Sequence, residues 1–330
     1  MEKYSGPYRK FLKIPRLNLG NLQTPIEPCD RLSKEIPGAP HIYIKRDDSS
    51  GYLVGGNKIR KLEYVMADVL RKKATTVMTV GSVQSNHARI TAMVAKRMGL
   101  KCVLVLNGEF PDQPKGNLFL TSLLGIEIIK VESREDRLSK MNQIARELEA
   151  GGESVYKIPL GASDEIGSYG LTAAFKEVAD HEKKTGMSFD AIFIGSSSGG
   201  TQAGLEVGKR LFNKDTLRII GISPDDPAAS IKERIIAAAG PMLSRLGLDN
   251  SIRPDQLCVD DRYVGGGYGF FSPESEEATA LFLRAEGILL DPVYTSKTAA
   301  ALLDYCRKGE FQPKNHVLFW HTGGLIALFK

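Results

Sequence analysis

The sequence lacks the patterns that mark several large classes of protein. Four cysteines occur in 330 residues without a CxxC pair, and their spacing predicts neither a disulfide scaffold nor a zinc site. No apolar run approaches the length that crosses a membrane, and the basic first residues carry no apolar signal-peptide core. We therefore expect four reduced thiols in a cytoplasmic protein, with no metal site and no membrane partner.

A strong excess of one sign of charge is also absent. The chain has 44 Lys and Arg against 39 Asp and Glu, and the basic residues are spread along it rather than clustered. This pattern argues against nucleic-acid binding and suits a small anionic ligand. The 42% hydrophobic and 25% charged contents are typical of a globular protein, and 330 residues predict two lobes or one large α/β unit.

Strand patterns alternate with helix patterns along the chain. The predicted strands are 42–44, 75–80, 101–106, 127–131, 156–159, 191–194, 218–222 and 317–320. The predicted helices begin after Gly56, at 85, 118 and 139, after Gly167, and at 201 and 297. This order predicts a mostly parallel sheet with helices on both faces. Ligands of such sheets bind at the carboxyl ends of strands, so the Gly-rich and polar clusters 81–87, 195–201 and 321–324 predict one shared site.

The segment 55–63, GGNKIRKLE, combines a sharp turn with two lysines. Its glycines permit a close approach of the backbone to a bulky group, and Asn57 is predicted to cap the following helix with its side chain. Lys58 and Lys61 are three residues apart, so they share a face at the helix N-terminus, where anions are favoured. The segment indicates an anion site with one lysine free for covalent chemistry. The alternative is a capped amphipathic helix with a solvated basic face.

The run 196–201, SSSGGT, lies between a predicted strand and a predicted helix. Its small residues and hydroxyls suit a phosphate group, which the helix dipole would also attract. Neither GK[ST] nor GxGxxG is present, so a monophosphate is favoured over a nucleoside triphosphate or NAD. The alternative is a tight glycine turn before a helix.

Three further segments supply polar groups. Ser85, Asn86 and His87 precede a helix whose free N–H groups could hold a carboxylate, and Ser85 could exchange a proton. The alternative there is a plain helix cap. Tyr268 lies within the Gly-rich run 265–269, and Tyr294 lies in a second loop; each alone is more often structural. With a lysine and a phosphate site they suit the binding of an amino acid.

A lysine, a phosphate site and hydroxyls at strand ends point to pyridoxal 5′-phosphate. That cofactor needs a lysine for a Schiff base, an anchor for its phosphate and a partner for its pyridine nitrogen. We expect Thr295 or another hydroxyl to be that partner.

The chain resembles the fold type II pyridoxal-phosphate enzymes, and within them the 1-aminocyclopropane-1-carboxylate deaminase and D-cysteine desulfhydrase family. The resemblance extends from Pro15 to Gly324. The motifs that carry it are IKRDD (44–48), GGNKIRKLE (55–63), QSNHAR (84–89), SGGT (198–201), GILLDPVY (287–294) and HTGG (321–324).

The resemblance implies a fold and an assembly. It implies an α/β protein with two open, twisted, mostly parallel sheets flanked by helices. Residues 1–56 and 166–330 would form a large domain that binds the cofactor, and residues 57–165 a small domain. The enzyme would act as a homodimer on a small amino-acid substrate.

The resemblance also implies the roles of individual residues. Lys58 would be the Schiff-base lysine, Lys61 would help to hold the phosphate, and Asn86 would bond the ring oxygen. Ser197, Ser198, Gly199, Gly200 and Thr201 would supply the rest of the phosphate site. Ser85, Asn86, His87 and Thr322 would line the substrate pocket. Tyr268 and Tyr294 would face the substrate and, with Lys58 and Ser85, perform catalysis.

The choice of substrate depends on three positions. Cyclopropane deaminases of this family typically carry Gln, Glu and Leu where this chain has His87, Thr295 and Thr322. With a hydroxyl at the pyridine nitrogen, the cofactor ring is a weaker electron sink than it is with a carboxylate there. That weaker sink is still sufficient for expulsion of a thiolate. We therefore favour α,β-elimination of D-cysteine to pyruvate, hydrogen sulfide and ammonia.

Several alternatives stay open at this point. They are cyclopropane deaminase activity, elimination of sulfite from L-cysteate, a β-replacement synthase, and a silent binding protein that retains the cofactor. Ser296, where many relatives have Gly, departs from the family pattern in the loop of Tyr294.

Overall fold

The computed structural model describes residues 6–51 and 54–329 of the chain. Ten β-strands lie within these residues: β1 Ile26–Pro28, β2 His41–Arg46, β3 Thr76–Ser82, β4 Lys101–Asn107, β5 Glu127–Val131, β6 Val155–Lys157, β7 Ala191–Gly195, β8 Arg218–Ile222, β9 Cys258–Asp260 and β10 His316–His321. Eleven α-helices accompany them there: α1 Gly6–Leu12, α2 Asp30–Glu35, α3 Lys58–Arg71, α4 Asn86–Arg97, α5 Gly116–Leu123, α6 Asp136–Ala150, α7 Glu165–Thr185, α8 Gly200–Leu211, α9 Ala228–Leu246, α10 Pro273–Glu286 and α11 Thr295–Arg307.

The strands form two sheets, as the family resemblance predicts. The larger sheet has the order β1-β2-β10-β7-β8-β9, and the smaller has the order β5-β4-β3-β6. Each neighbouring pair is parallel except β1 with β2. Central strands such as β3 and β10 are buried without alternation because helices cover both faces of a parallel sheet. The predicted mostly parallel α/β arrangement is confirmed.

The two sheets draw on different parts of the chain. All four strands of the smaller sheet lie between residues 57 and 165, and the six of the larger sheet lie outside that range. The domain boundaries at 56/57 and 165/166 stay a prediction. They are compatible with this distribution of strands.

A buried ionic network fixes the first turn of α3 against the larger sheet. The Arg60 guanidinium donates to Asp47 at 2.7 Å and to Glu177 on α7 at 2.6 Å. Lys45 on β2 donates to Glu177 at 2.5 Å, and the Trp320 indole on β10 donates to Asp47 at 2.8 Å. Breaking one member would leave a buried charge unpaired, so the network holds the first turn of α3 to β2, β10 and α7.

The sequence patterns locate the long elements better than the short ones. Helix α7 begins at Glu165, before the predicted start after Gly167, because the Asp164 side chain accepts from the Gly167 N–H. The sequence analysis does not predict α1, α2, α9, α10, β1 or β9. The two strands have three residues each, too few to show a period.

Other sequence expectations concern cysteines, membranes and metals. All four cysteines lie in the described part of the chain and are free of disulfides. No helix within residues 6–51 and 54–329 has both the length and the apolar character to cross a membrane. Among the same residues, no group of His, Cys, Asp or Glu side chains is placed to hold a metal ion.

Candidate active site

Two adjoining cavities lie where the predicted strand-end clusters meet. The first, which we call the glycine cleft, is lined by glycines from three loops: Gly55, Gly56, Gly195, Gly199, Gly323 and Gly324. The second, the arginine cavity, is lined by Arg134, Arg137 and Arg234. The cavities share five lining residues, Lys58, Asn86, Ser197, Ser198 and Tyr294. The clusters that the sequence places at strand ends therefore do converge.

Lys58 is the first residue of α3 and lines both cavities. Within the described part of the chain, its amine has no hydrogen-bond or ion-pair partner. Burial lowers the pKa of Lys58 to about 8. The neutral amine, which is the state that attacks a carbonyl carbon, is therefore far more populated near physiological pH than in an ordinary lysine.

The loop before α8 has the form of a phosphate site. Gly199 caps the helix with φ of 80°, and an added Cβ there would lie 3.0 Å from the backbone nitrogen of Ile235. Gly199 and Thr201, at the N-terminus of α8, line the glycine cleft at the positive end of the helix dipole. The Ser196 hydroxyl in this loop is buried, and it has no partner among the described residues. A phosphate oxygen would supply the missing acceptor.

Asn57 does not act as predicted. It precedes α3, but its side chain makes no capping hydrogen bond. Its amide Nδ2 instead donates to Thr201 Oγ1 at 3.1 Å. The prediction of a side-chain cap is wrong because the start of α8 competes for the same amide, and the bond joins the first turns of α3 and α8.

Lys61 lies one turn beyond Lys58 and lines neither cavity. Its amine donates to the Gly161 carbonyl at 3.1 Å and to Ser163 Oγ at 2.9 Å. Ser163 Oγ in turn lies 2.7 Å from Ser198 Oγ in the loop before α8. Burial first, and then the Lys58 charge, hold the pKa of Lys61 well below its usual range. Its role at the phosphate stays a prediction. In the structure, Lys61 is connected to the loop before α8 through Ser163.

The three residues predicted to bind a carboxylate line the arginine cavity. Ser85 caps α4 by accepting from the Ala88 N–H at 3.1 Å, so the plain capping interpretation holds for its oxygen. His87 is buried, and its Nε2 lies 2.8 Å from the Thr79 hydroxyl. Burial first, and then Lys58 and Lys61, hold the pKa of His87 well below its usual range, so the ring is neutral. Asn86, between them, lines both cavities.

The two predicted tyrosines meet in space although 26 residues separate them. Their hydroxyl oxygens are 2.9 Å apart. Burial raises the pKa of Tyr268 to about 12 and that of Tyr294 well above its usual range. Both phenols are therefore protonated at neutral pH; one O–H donates to the other tyrosine, and the second can donate to a ligand.

The two threonines differ in position. Thr322 lines the glycine cleft, whereas Thr295 does not. The Thr295 hydroxyl donates to Asp291 Oδ1 at 2.7 Å and accepts from the Asp291 N–H at 2.7 Å. The role of Thr295 at a pyridine nitrogen stays a prediction, and that hydroxyl already has partners.

The sequence analysis missed the three arginines and Asp225 of the arginine cavity, and Lys297, which supports the Tyr268 loop from outside both cavities. Asp225 lines the arginine cavity and accepts from Ser197 Oγ at 3.2 Å; its place just after a predicted strand was an available signal. Lys297 is buried on α11, and nothing in its local pattern distinguishes it from a solvated helix lysine. Arg137 likewise follows an ordinary pattern of charged residues.

The comparisons with known proteins agree over nearly the whole chain. A family model described as pyridoxal-phosphate dependent enzyme matches residues 17–323. The chain is 36% identical to a D-cysteine desulfhydrase of Yersinia enterocolitica, over 97% of each chain. It is 38% identical to a Pyrococcus furiosus protein provisionally named a 1-aminocyclopropane-1-carboxylate deaminase, over 96% of this chain and 94% of the relative. A crystal structure of an ACC deaminase homologue matches with a TM-score of 0.90 at 36% identity, over 100% of this chain and 97% of the other.

Proposed function

This chain belongs to the pyridoxal-phosphate dependent enzyme family, and we propose that it catalyses the α,β-elimination of D-cysteine to pyruvate, hydrogen sulfide and ammonia. Its relatives belong to the 1-aminocyclopropane-1-carboxylate deaminase and D-cysteine desulfhydrase group, and their names divide between two activities. The choice between those activities therefore rests on this chain's own residues.

The site fits the cofactor on three counts. Lys58 offers a reactive amine to both cavities, the loop before α8 offers N–H groups to a phosphate, and the Ser196 hydroxyl lacks a partner. Ser197, Ser198, Gly199, Gly200 and Thr201 would hold the phosphate, and Asn86 would bond the ring oxygen. When bound, pyridoxal phosphate supplies an electron sink for the Cα–H bond that breaks.

Lys58 and the tyrosine pair divide the proton transfers. Once substrate occupies the site, the neutral Lys58 Nζ can accept the α-proton, because its pKa lies close to the working pH. Whichever of the protonated Tyr268 and Tyr294 hydroxyls does not donate to the other can donate toward a departing thiolate. Ser85 and Asn86, at the N-terminus of α4, would orient the substrate carboxylate.

The observation that favours D-cysteine over a cyclopropane substrate is the set of side chains that line the glycine cleft. In the residues that the structure describes, no Asp or Glu side chain lines it, whereas the Thr322 hydroxyl does. The nearby Asp291 carboxylate accepts from the backbone N–H groups of Val293, Tyr294 and Thr295. Without a carboxylate to keep the pyridine nitrogen protonated, the site suits expulsion of a good leaving group.

The test is to supply D-cysteine, L-cysteine and 1-aminocyclopropane-1-carboxylate to the purified holoenzyme. We expect equimolar sulfide and pyruvate from D-cysteine, and neither product from the Lys58→Ala variant. Four-carbon 2-oxobutanoate from the cyclopropane substrate, without sulfide from either cysteine, would refute the proposal. Measuring the visible absorbance of bound cofactor first ensures that an inactive sample is not simply cofactor-free.

A further inference from the structure

A third cavity lies apart from the two cavities of the candidate active site. Its walls come from α3, the first turns of α7, the last turn of α9 and the segment after α1, and it shares no lining residue with either of the others. The buried rings of Tyr64 and Tyr169, with centroids 6.1 Å apart, form its floor together with Ile14 and Ile166. We call it the tyrosine pocket. An apolar floor with a few polar groups around it is the usual form of a small-molecule site.

Two opposite charges on the rim of this pocket are only loosely paired. Arg245 Nη1 on α9 lies 3.9 Å from Glu165 Oε1 on α7, which is beyond hydrogen-bond distance. Within the described part of the chain, neither side chain has another hydrogen-bond or ion-pair partner. The rim therefore has a cation and an anion that are both available to a ligand.

The wall formed by α3 has more cations than carboxylates. Asp68 accepts from Arg71 at 2.6 Å and lies 3.0 Å from the Lys72 amine. The same carboxylate also accepts from the Tyr156 hydroxyl at 2.8 Å. One carboxylate thus serves two cations. With the loosely paired charges of the rim, the pocket is lined by three cations and two carboxylates, so it favours a ligand that carries a carboxylate.

We propose that the tyrosine pocket is a second, noncatalytic binding site, for a free α-amino acid with an apolar or aromatic side chain. The α-carboxylate of the ligand would pair with Arg245 and its α-ammonium with Glu165, so each loosely paired charge gains a charged hydrogen bond. The side chain of the ligand would lie on the rings of Tyr64 and Tyr169. The elimination reaction does not use this pocket, so the inference does not depend on which amino acid is the substrate.

The tyrosine pocket is connected to the predicted phosphate site through α3 and α7. Tyr64 lies one turn beyond Lys61 on the same face of α3, and Lys61 donates to Ser163 Oγ at 2.9 Å. Glu165 follows Ser163 by two residues, at the start of α7. Ser163 Oγ lies 2.7 Å from Ser198 Oγ in the loop before α8. A ligand that holds Glu165 near α3 would restrain Ser163 and that loop, so we expect occupancy of the pocket to slow the loss of cofactor.

The experiment measures binding to the holoenzyme by calorimetry and records the visible absorbance of bound cofactor in parallel. The probe is N,N-dimethylphenylalanine, as both enantiomers. Its tertiary amine keeps the positive charge and one N–H but cannot form a Schiff base, so it does not react with the cofactor. The comparison compounds are 3-phenylpropionate, N,N-dimethyl-2-phenylethylamine and N,N-dimethylalanine, which lack the amine, the carboxylate and the aromatic ring, respectively.

The variants are Arg245→Gln and Glu165→Gln, with Arg146→Gln as the control for a lost positive charge. Arg146 is exposed on α6 and lines none of the three cavities. Both substituted rim residues lie outside the glycine cleft and the arginine cavity, so all three variants should turn over substrate at the rate of the parent enzyme when no probe is present.

We expect the probe to bind one site per chain without a change in visible absorbance. Removal of either charged group, from the probe or from the rim, should raise the Kd by about tenfold, the order expected for one charged hydrogen bond. Arg245→Gln should not weaken the amine that lacks a carboxylate, and Glu165→Gln should not weaken 3-phenylpropionate, because the partner is already missing. Loss of the ring should weaken binding by at least about tenfold. Arg146→Gln should match the parent enzyme.

The connection to the cofactor is tested by diluting the holoenzyme with and without a saturating concentration of the probe. We expect the probe to slow the loss of cofactor by about fivefold, at the low end of the range for coupled sites, and Arg245→Gln to reduce this effect at the same probe concentration. An unchanged rate in the parent enzyme would overturn the connection.

Three outcomes would overturn the binding site itself. One is the absence of saturable binding to the parent enzyme. Another is equal affinity for the probe in the parent enzyme and in both rim variants, which would place the probe elsewhere. The third is probe binding that weakens as the protein concentration rises, which would mean that a second copy of the chain covers the pocket. None of these results bears on the turnover of D-cysteine, so failure of this inference is distinguishable from failure of the proposed elimination.

Discussion

The hydroxyl oxygens of Tyr268 and Tyr294 lie 2.9 Å apart, and the two rings are nearly perpendicular, at 86°. Only one of the two O–H groups can donate along this bond, so the other is free to donate to a ligand. The pair lies beside Lys58 in the wall of the arginine cavity. The site therefore places a hydroxyl donor of fixed direction beside the Lys58 amine, which can accept the proton from the substrate Cα.

Removal of either hydroxyl should slow turnover. Tyr268→Phe or Tyr294→Phe removes the donor to the leaving group or its orienting partner, so we expect kcat to fall by about 100-fold, as for loss of a general acid. The visible spectrum of bound cofactor should not change. Tyr263→Phe is the matched control, because the Tyr263 hydroxyl bonds Asp304 outside both cavities. Full activity of both site variants would contradict a role for the pair.

Lys297 should position the Tyr268 loop without contacting substrate. Its buried amine donates to the carbonyls of Pro224, Val264 and Gly267 at 2.9, 2.7 and 2.6 Å. It also follows Tyr294 by three residues on α11, so one side chain ties together both tyrosine segments.

Lys297→Met should free the loop and lower kcat by about tenfold, since a catalytic group misplaced by a fraction of an ångström loses its alignment. The free energy of unfolding should also fall, by about 3 kcal/mol, because the carbonyls lose a charged donor. Lys297→Arg should restore part of both. If the folded Met variant kept the parent kcat and lost only stability, the lysine would be merely structural.

The sequence predicts the long elements of this fold because each repeats one period over many residues. The buried apolar run of β3 and the stripe of α3 are examples. Convergence of the clusters 195–201 and 321–324 also follows from the sequence, since they follow parallel strands that end at the same edge of one sheet. The cluster 81–87 follows β3 of the other sheet, so its approach to them depends on how the two sheets pack. The order of the strands does not follow, because β2 and β10 are neighbours from opposite ends of the chain.

The partners of individual side chains were harder to predict. Asn57 has the residue type of a helix cap, yet its amide bonds Thr201, which is 144 residues away. Arg137 occurs in a helix rich in charge and Lys297 in the first turn of α11, and in both places a solvated side chain is the ordinary expectation. The surroundings of these two cations depend on how α6 and α11 pack beside the cavities, and the local sequence does not reveal that packing.

We expect a side chain at position 199 to weaken cofactor binding, because both the backbone conformation of Gly199 and its close neighbours oppose one. Gly199→Ala would place a Cβ 3.0 Å from both Arg234 Cβ and the Ile235 nitrogen, at a φ of +80° that alanine resists. The loop must shift, so we expect the Kd for pyridoxal phosphate to rise by about tenfold, equivalent to about 1.4 kcal/mol.

Gly186→Ala is the control for the backbone strain in Gly199→Ala. Gly186 has φ of +76° at the end of α7, and an added Cβ would meet nothing within 4 Å. Both variants should lose about 1 kcal/mol of stability, from the strain of a positive φ. Only Gly199→Ala should lose affinity, as measured by titration of the cofactor-free protein. Equal Kd values would exclude the loop before α8 from the phosphate site.

The low pKa of Lys58 predicts how cofactor uptake depends on pH. Burial lowers that pKa from 10.5 to about 8, so the neutral, nucleophilic amine is half-populated near pH 8 and dominates above it. The rate at which cofactor-free protein gains the visible absorbance of bound pyridoxal phosphate should therefore rise through pH 8 and then level off. An exposed lysine would make the rate continue to rise toward pH 10.5.

Two controls accompany this measurement. Nα-acetyl-lysine, measured with the same cofactor over the same pH range, corrects for titration of the cofactor. The Lys58→Ala variant should not gain the visible absorbance of bound pyridoxal phosphate. A midpoint above pH 9.5 after this correction would mean that the cleft does not desolvate the amine, and Lys58 would then have no advantage over other lysines as the nucleophile.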